Sequence, residues 1–513
     1  MMAQENAGTS RRGGGAKFAV VGSGPAGLGV LTALLDAGLA GKITLFEIDR
    51  PLAHAEFSGA AEPERVEEFY DGIYRELWRG QKRKFPPPKT HFAATLPKFA
   101  MDGKGKIFRS DTLGGLSNFW GGTALPFTDA ELAGWPVRRA QLDPHYARMA
   151  DVAGIAGRAD GLNRYFGADF TNRPAMHLTR AFEKMAQAVD GAPAHGGFTP
   201  VAGVNRCMLE TLPDHPDACV RCGECLAGCF RGSIFSTRRT IHRMIADGRV
   251  ELVRGKVCAF DPQTRALKVE CGGGVQTFGG FDKIYLAAGC PNTTEVVLRS
   301  LGLREAGAMA DNAVYVFPIF HFGRTGRPAG REPYLSLSNL IVGLVPGATD
   351  LPFAQAQIYA NFDYMWRYNF PPALWPLARG LTAWSRDRLF WARLYVHGRL
   401  SQSYEVGLEN DALRLSYARS ADKNAVARMM PALRHALNRR GFYVPPLPPL
   451  HQNANSHYAA TLPLGGAQSP VDARGEVAPG VFVCDSAAFP DLPAVSLTFT
   501  IMAQAHRLAA QSL

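Results

Sequence analysis

No apolar run in this chain of 513 residues reaches the length of a membrane span, because charges, Pro or Gly interrupt every candidate within about a dozen residues. Cysteine is scarce, nine in all, so the chain is not a dense disulfide scaffold. It has no recognisable nucleic-acid-binding motif and no basic run interleaved with stacking aromatics. The excess of 56 Lys and Arg over 45 Asp and Glu therefore points to a membrane surface or an anionic substrate, with no nucleic acid. No internal repeat is found. The opening MMAQENAGTSRRGGGAK carries a twin Arg, but the apolar stretch after it reads as a strand and a glycine loop instead of an export segment. The expectation is a flexible tail over 1–16 and a cytoplasmic protein whose thiols stay reduced. The length exceeds one compact core, so two domains are expected.

What is present begins with KFAVVGSGPAGLGVLTALLDAG, which runs from an apolar strand through Gly22, Gly24 and Gly27 into a helical pattern, followed by the strand ITLFEIDR with Glu47. A G-x-G-x-x-G between strand and helix, with an acid about twenty residues on, is the setting of a dinucleotide site. Gly22 permits the tight turn, Gly24 lets the backbone approach a pyrophosphate at the helix N-terminus, Gly27 allows close helix packing, and Glu47 accepts from a ribose hydroxyl. A second glycine-rich stretch, TLGGLSNFWGGTALPF, surrounds Ser117, Asn118 and Trp120 with Gly114, Gly115 and Gly121. Backbone lying close against a flat ligand explains that pattern, and a plain glycine-rich loop is the alternative.

Further on, RRTIHRMIADG predicts a helix, and VELVRGKVCAF, ALKVECGG and KIYLAAGC predict strands in which Cys258, Cys271 and Cys290 are small core residues. From about 313 to 417 alternating strands such as LSQSYEVGL suggest a second domain, followed by a helix in KNAVARMMPALRHALNRRG. Four of the remaining cysteines fall within CVRCGECLAGC, as Cys219, Cys222, Cys225 and Cys229. Their C-x2-C-x2-C-x3-C spacing suits an iron–sulfur cluster better than a single zinc ion, with Cys207 as an outside ligand if Cys229 does not complete the set. Four reduced thiols packed without metal remain the alternative. The segment from Tyr364 to Leu400 holds four of the seven tryptophans among six arginines. It reads either as a membrane–water interface segment or as a helical lid over a substrate pocket.

Taken with LGGLSNFWGG, GWPVRRAQLDPHYARMA, IYLAAGCPNTTEVVL and the C-terminal NSHYAATLPLGG and VFVCDSAAFPDLPAVSLTFTIMAQAHRLA, the chain resembles the glucose–methanol–choline oxidoreductases. The resemblance runs from residue 18 to 509 and is loosest between about 310 and 430. It implies an α/β (α+β) protein in which a discontinuous Rossmann-like FAD-binding domain, 17–50, 109–127, 230–305 and 455–513, carries a second domain built on an antiparallel sheet. That substrate domain is 306–454, with the aromatic and basic segment at 364–400. Residues 51–108 and 128–229 connect and cap the two and hold the cysteines. By the same resemblance Asp485 approaches the FAD phosphate and ribityl region, the backbone of Val257 meets the adenine, and His457 is the catalytic histidine. Ser496 stands where the family usually has a second His or Asn, and Trp120 stands where many members have a flavin-side Asn.

The implied function is a dehydrogenase that passes a hydride from an alcohol to flavin N5. Its substrate would be a sugar, glycolipid or other amphipathic alcohol, small or lipid-linked. Electrons would leave through the iron–sulfur site to an acceptor protein, with peripheral contact on the inner face of the membrane. A flavin-dependent isomerase or lyase, and an electron-transfer flavoprotein subunit, are the alternatives.

Overall fold

The computed structural model describes residues 16–51, 66–80, 97–103, 105–323, 333–367, 370–452 and 456–513. The tail expected over 1–16, apart from residue 16, and most of the irregular stretch before residue 97 lie outside the described residues.

Phe18–Val21 is apolar and buried at all four positions because it has a parallel neighbour on each side, Ile43–Glu47 and Lys283–Leu286. These three strands form the middle of a six-stranded sheet. Glu251–Arg254 closes one edge, and Val481–Val483 with its antiparallel partner Glu476–Ala478 closes the other. Strands far apart in the chain thus meet in one doubly wound sheet. The helix after the first strand, Pro25–Asp36, opens with Pro in its first turn, where the missing N–H costs nothing. It packs on the C-terminal helix Thr498–Ser512 through Gly29, where an added Cβ would lie 2.4 Å from the carbonyl oxygen of Met502.

The predicted strand VELVRGKVCAF is two strands. Gly255 separates Glu251–Arg254, in the parallel sheet, from Lys256–Phe260, which pairs in a three-stranded antiparallel sheet. The break is steric: a Cβ at Gly255 would lie 2.5 Å from Val269 Cγ1. Cys290 begins the helix Cys290–Leu301 instead of extending a strand.

A seven-stranded antiparallel sheet forms the other half of the molecule. It is built on Val314–His321, Leu389–Tyr395, Ala354–Ala360 and Leu340–Pro346, with Phe198–Val204 at one edge. In the central pair Gln355 faces Tyr395, Gln357 faces Arg393 and Tyr359 faces Trp391. Side chains alternate along a strand, so these residues share one face while Ala356, Ile358, Ala392 and Leu394 point into the core on the other. The strands Gln402–Glu409 and Ala412–Arg419 form a separate four-stranded sheet with Met309–Asp311 and Tyr458–Ala459. Their apolar face joins the core that contains Val21 and Leu286 of the parallel sheet.

Candidate active site

Between the parallel sheet and the polar face of the seven-stranded sheet runs one cavity of about 710 Å³. Gly22, Gly24, Glu47, Gly115, Ser117, Trp120, Gly121, Val257, Asp485, His457 and Ser496 all line it. Gly27, Gly114 and Asn118 do not, and each has a structural job. A Cβ on Gly27 would lie 2.0 Å from the Gly22 carbonyl oxygen, so this glycine closes its own turn and does not seat a neighbouring helix. Gly114 takes φ +93° against Arg238. The Asn118 amide donates to the Leu113 carbonyl at 2.9 Å and accepts from the Ser236 hydroxyl, which braces the loop from behind.

The glycine turn leaves room where a dinucleotide would need it. Gly22 sits at φ +98°, and a Cβ there would strike the Ala287 carbonyl oxygen at 2.5 Å. Gly24, at the head of the helix Pro25–Asp36, is different: an added Cβ would meet nothing within 4 Å. Its open side faces the cavity, next to N–H groups that a helix start leaves unpaired, which suits a pyrophosphate. Glu47 lies beyond the turn with its carboxyl held by the Ser23 N–H at 2.9 Å, the Ser23 hydroxyl at 2.5 Å and the Ile48 N–H at 2.9 Å. Burial pushes its pKa up, and these donors oppose that shift. Ser23 also accepts from the Gly114 N–H at 2.8 Å, and its carbonyl accepts from Thr237. It ties together both glycine-rich stretches, a role that the G-x-G spacing does not announce. Asp485 accepts from the Gly289 and Ala487 N–H groups and from the Thr293 hydroxyl, and burial raises its pKa to about 6. The residues present fit an FAD: an open glycine cradle, the buried acid Glu47 and the Trp120 indole, held by its N–H to the Phe235 carbonyl at 2.7 Å, all line the one cavity.

In the same cavity His457 stacks on the Tyr395 ring, with centroids 5.5 Å apart, and its Nδ1 lies 3.1 Å from Asn312 Oδ1. Asn312 is fully buried, and its NH2 group donates to the carbonyls of Val396 and Pro493 at 2.9 and 3.1 Å. Those two bonds set the amide's orientation, so Oδ1 must accept from the imidazole and His457 carries its proton on Nδ1. The lone pair is then on Nε2. Next in the chain, buried Asp311 accepts from Gln402 at 3.1 Å, with the His457 backbone N–H close by, and desolvation raises its pKa to about 8. Ser496 Oγ accepts from Gln357 at 3.2 Å and from Gln355 at 3.5 Å. None of Asn312, Gln355, Gln357 and Tyr395 belongs to a motif. Only the polar alternation in AQAQIYA and RLYV hints that one sheet face meets something other than core.

The iron–sulfur expectation finds no support in this geometry. Among the described residues no group of three or more His, Cys, Asp or Glu could hold a metal ion. Cys219, Cys222 and Cys225 instead pack against the hydrophobic core under the seven-stranded sheet. Burial, reinforced by neighbouring thiols, pushes the pKa of Cys219 up to about 11 and that of Cys222 to about 12, and raises that of Cys225 well above its ordinary value. In the aromatic and basic segment 364–400, Arg393 and Tyr395 on the strand Leu389–Tyr395 line the cavity, whereas no described residue from 363 to 388 does. Trp366 and Trp391 turn inward to share Asn361 Oδ1, and Trp375 is buried. Trp384 is 53% exposed, beside Leu377 at 81% and Leu381 at 64% on the helix Trp375–Ser385. No described helix is long and apolar enough to cross a membrane.

No family model and no curated protein matches this chain in sequence. Solved structures do match in shape. Pyridoxine 4-oxidase from Mesorbium loti has a TM-score of 0.62 at 14% identity, over 97% of this chain and 99% of that one. Two structures from work on FAD modification in the formate oxidase of Aspergillus oryzae RIB40 have TM-scores of 0.59 and 0.58 at 12% and 13% identity, each over 96% of this chain and 97% of the other. At such identities the likeness is one of fold, and it spans both sheets: this chain has the fold of these two oxidases.

Proposed function

We propose that the chain is an FAD-dependent oxidoreductase of the glucose–methanol–choline type, acting on the CH–OH group of a small-molecule alcohol. One observation carries the reading: a glycine cradle open at Gly24 and an imidazole with a defined tautomer converge on the same cavity. FAD, when bound, supplies the hydride acceptor. His457 takes the substrate hydroxyl proton at Nε2, and Asn312 holds the ring through Nδ1–H; imidazole suits the task because it titrates near neutrality. Ser496 accepts from two amides, which leaves its own proton as the group it presents to the substrate oxygen. This is the service that the family's second His or Asn performs. The sheet face above excludes water from the reacting atoms.

The names of the two structural neighbours support a small-molecule substrate. Sugars, glycolipids and other amphipathic alcohols remain the classes that the sequence proposes, and peripheral membrane contact is proposed through Leu377, Leu381 and Trp384. The Arg388 guanidinium lies 4.6 Å from the Trp384 ring centroid and suits a lipid phosphate. The test is anaerobic addition of a panel of alcohols, including pyridoxine and hexoses, with the flavin's visible absorbance as the readout. An active alcohol should bleach it, and His457→Ala should slow bleaching by roughly 10²-fold or more with FAD content unchanged. Undiminished bleaching in that variant would overturn the role of His457.

A further inference from the structure

The polar face of the seven-stranded sheet carries one feature that alcohol oxidation does not use. Arg393 lines the cavity, and its Nε is buried with no hydrogen-bond partner among the described residues. The groups that act on it are the Tyr395 and Tyr359 phenols, with no carboxylate among them. A guanidinium cannot shed its proton to escape burial. An enclosed cation without a counter-ion is destabilising, and the chain places this one beside the reacting groups. Gln357, its cross-strand partner, donates to Ser496. Tyr395, two residues along the same strand and on the same face, stacks on His457. The strand repeat puts Arg393 about 7 Å from the residue that touches the base.

We propose that Arg393 binds a carboxylate of the substrate, which is therefore an alcohol carrying a carboxylate within a few bonds of its carbinol, a hydroxy acid being the simplest case. The planar guanidinium fork matches a planar carboxylate, and its single charge matches a single negative charge. A phosphate dianion would want a second cation. Only the word "alcohol" here rests on the function proposed above; the anion site stands on Arg393 alone.

The experiment separates the two. Oxidised holoenzyme is titrated with acetate and benzoate, and with acetamide and benzamide as neutral partners, reading the perturbation of the flavin spectrum; none of these can be oxidised as an alcohol. The acids should bind saturably and the amides at least about tenfold more weakly. Arg393→Gln should weaken acid binding by about tenfold or more, Arg393→Lys should keep part of it, and His457→Ala should leave it in place. Equal binding of acid and amide, no binding of either acid, or acid binding indifferent to Arg393→Gln would overturn the proposal. So would a shift of the flavin spectrum in Arg393→Gln with acid and amide discrimination intact, since the cation would then serve the cofactor. Tighter Arg393-dependent binding of inorganic phosphate than of benzoate would overturn the carboxylate assignment. In a second arm glycolate and ethylene glycol are compared as reductants of the flavin. Arg393-dependent acid binding without reduction by any alcohol leaves the anion site standing and sinks alcohol oxidation. Reduction by neutral alcohols with no preference for acids does the reverse.

Discussion

Gly24→Ala separates the fold of the glycine turn from its ligand. The backbone there is extended, at φ −67° and ψ −169°, which any residue adopts, and the new methyl would meet no protein atom within 4 Å. The apoprotein should therefore keep its stability to within about 0.5 kcal/mol, the usual range for a substitution that touches nothing. The methyl instead fills space that a pyrophosphate needs. Pushing the phosphates off two N–H groups forfeits two charge-assisted hydrogen bonds of about 1.5–3 kcal/mol each. Even the lower figure, about 3 kcal/mol in total, is roughly a hundredfold in Kd. The assay is titration of apoprotein with FAD by flavin fluorescence, beside thermal unfolding of both apoproteins. Gly27→Ala is the contrast: its methyl would lie 2.0 Å from the Gly22 carbonyl oxygen, so the apoprotein itself should lose stability. Wild-type FAD affinity in Gly24→Ala, or an apoprotein already destabilised by it, would refute the placement of the pyrophosphate.

Asp311 gives a pH signature. Its carboxyl keeps its proton in the folded chain up to about pH 8, from an ordinary value of 3.8, so the folded state binds more protons than the unfolded one in that window and stability falls as pH rises through it. Asp311→Asn should flatten this slope, measured as denaturant midpoints at about pH 5 and about pH 8; an unchanged slope would remove Asp311 as its source. If the cysteines are neutral packing groups, anaerobically purified protein should lack iron and acid-labile sulfide. Stoichiometric iron and sulfide, both lost in Cys222→Ser, would restore the cluster. The exposed helix face predicts binding to anionic vesicles that high salt reverses; Leu377→Asp with Leu381→Asp should abolish it without touching flavin content, and equal binding to neutral vesicles would argue against the arginines' part.

The sequence by itself determined what local chemistry dictates. A strand, a glycine turn, a helix and an acid twenty residues on have one physical reason to occur together, so Gly22, Gly24 and Glu47 were legible before any coordinates. The motif at His457 was legible only through resemblance, since a single imidazole in a loop announces nothing. Spacing alone did not settle the cysteines: three of the four at ferredoxin intervals pack against the core, and the geometry gives the cluster no support. Gly27 and Gly29 look alike in PAGLGV, yet one closes a turn and the other seats the C-terminal helix, a choice made by residues nearly 480 positions away. The tautomer of His457, the amides on Ser496 and the uncompensated charge of Arg393 were decided by tertiary structure alone. Each depends on strands from distant parts of the chain meeting in register, and a sheet partner leaves no trace in the local sequence of either strand.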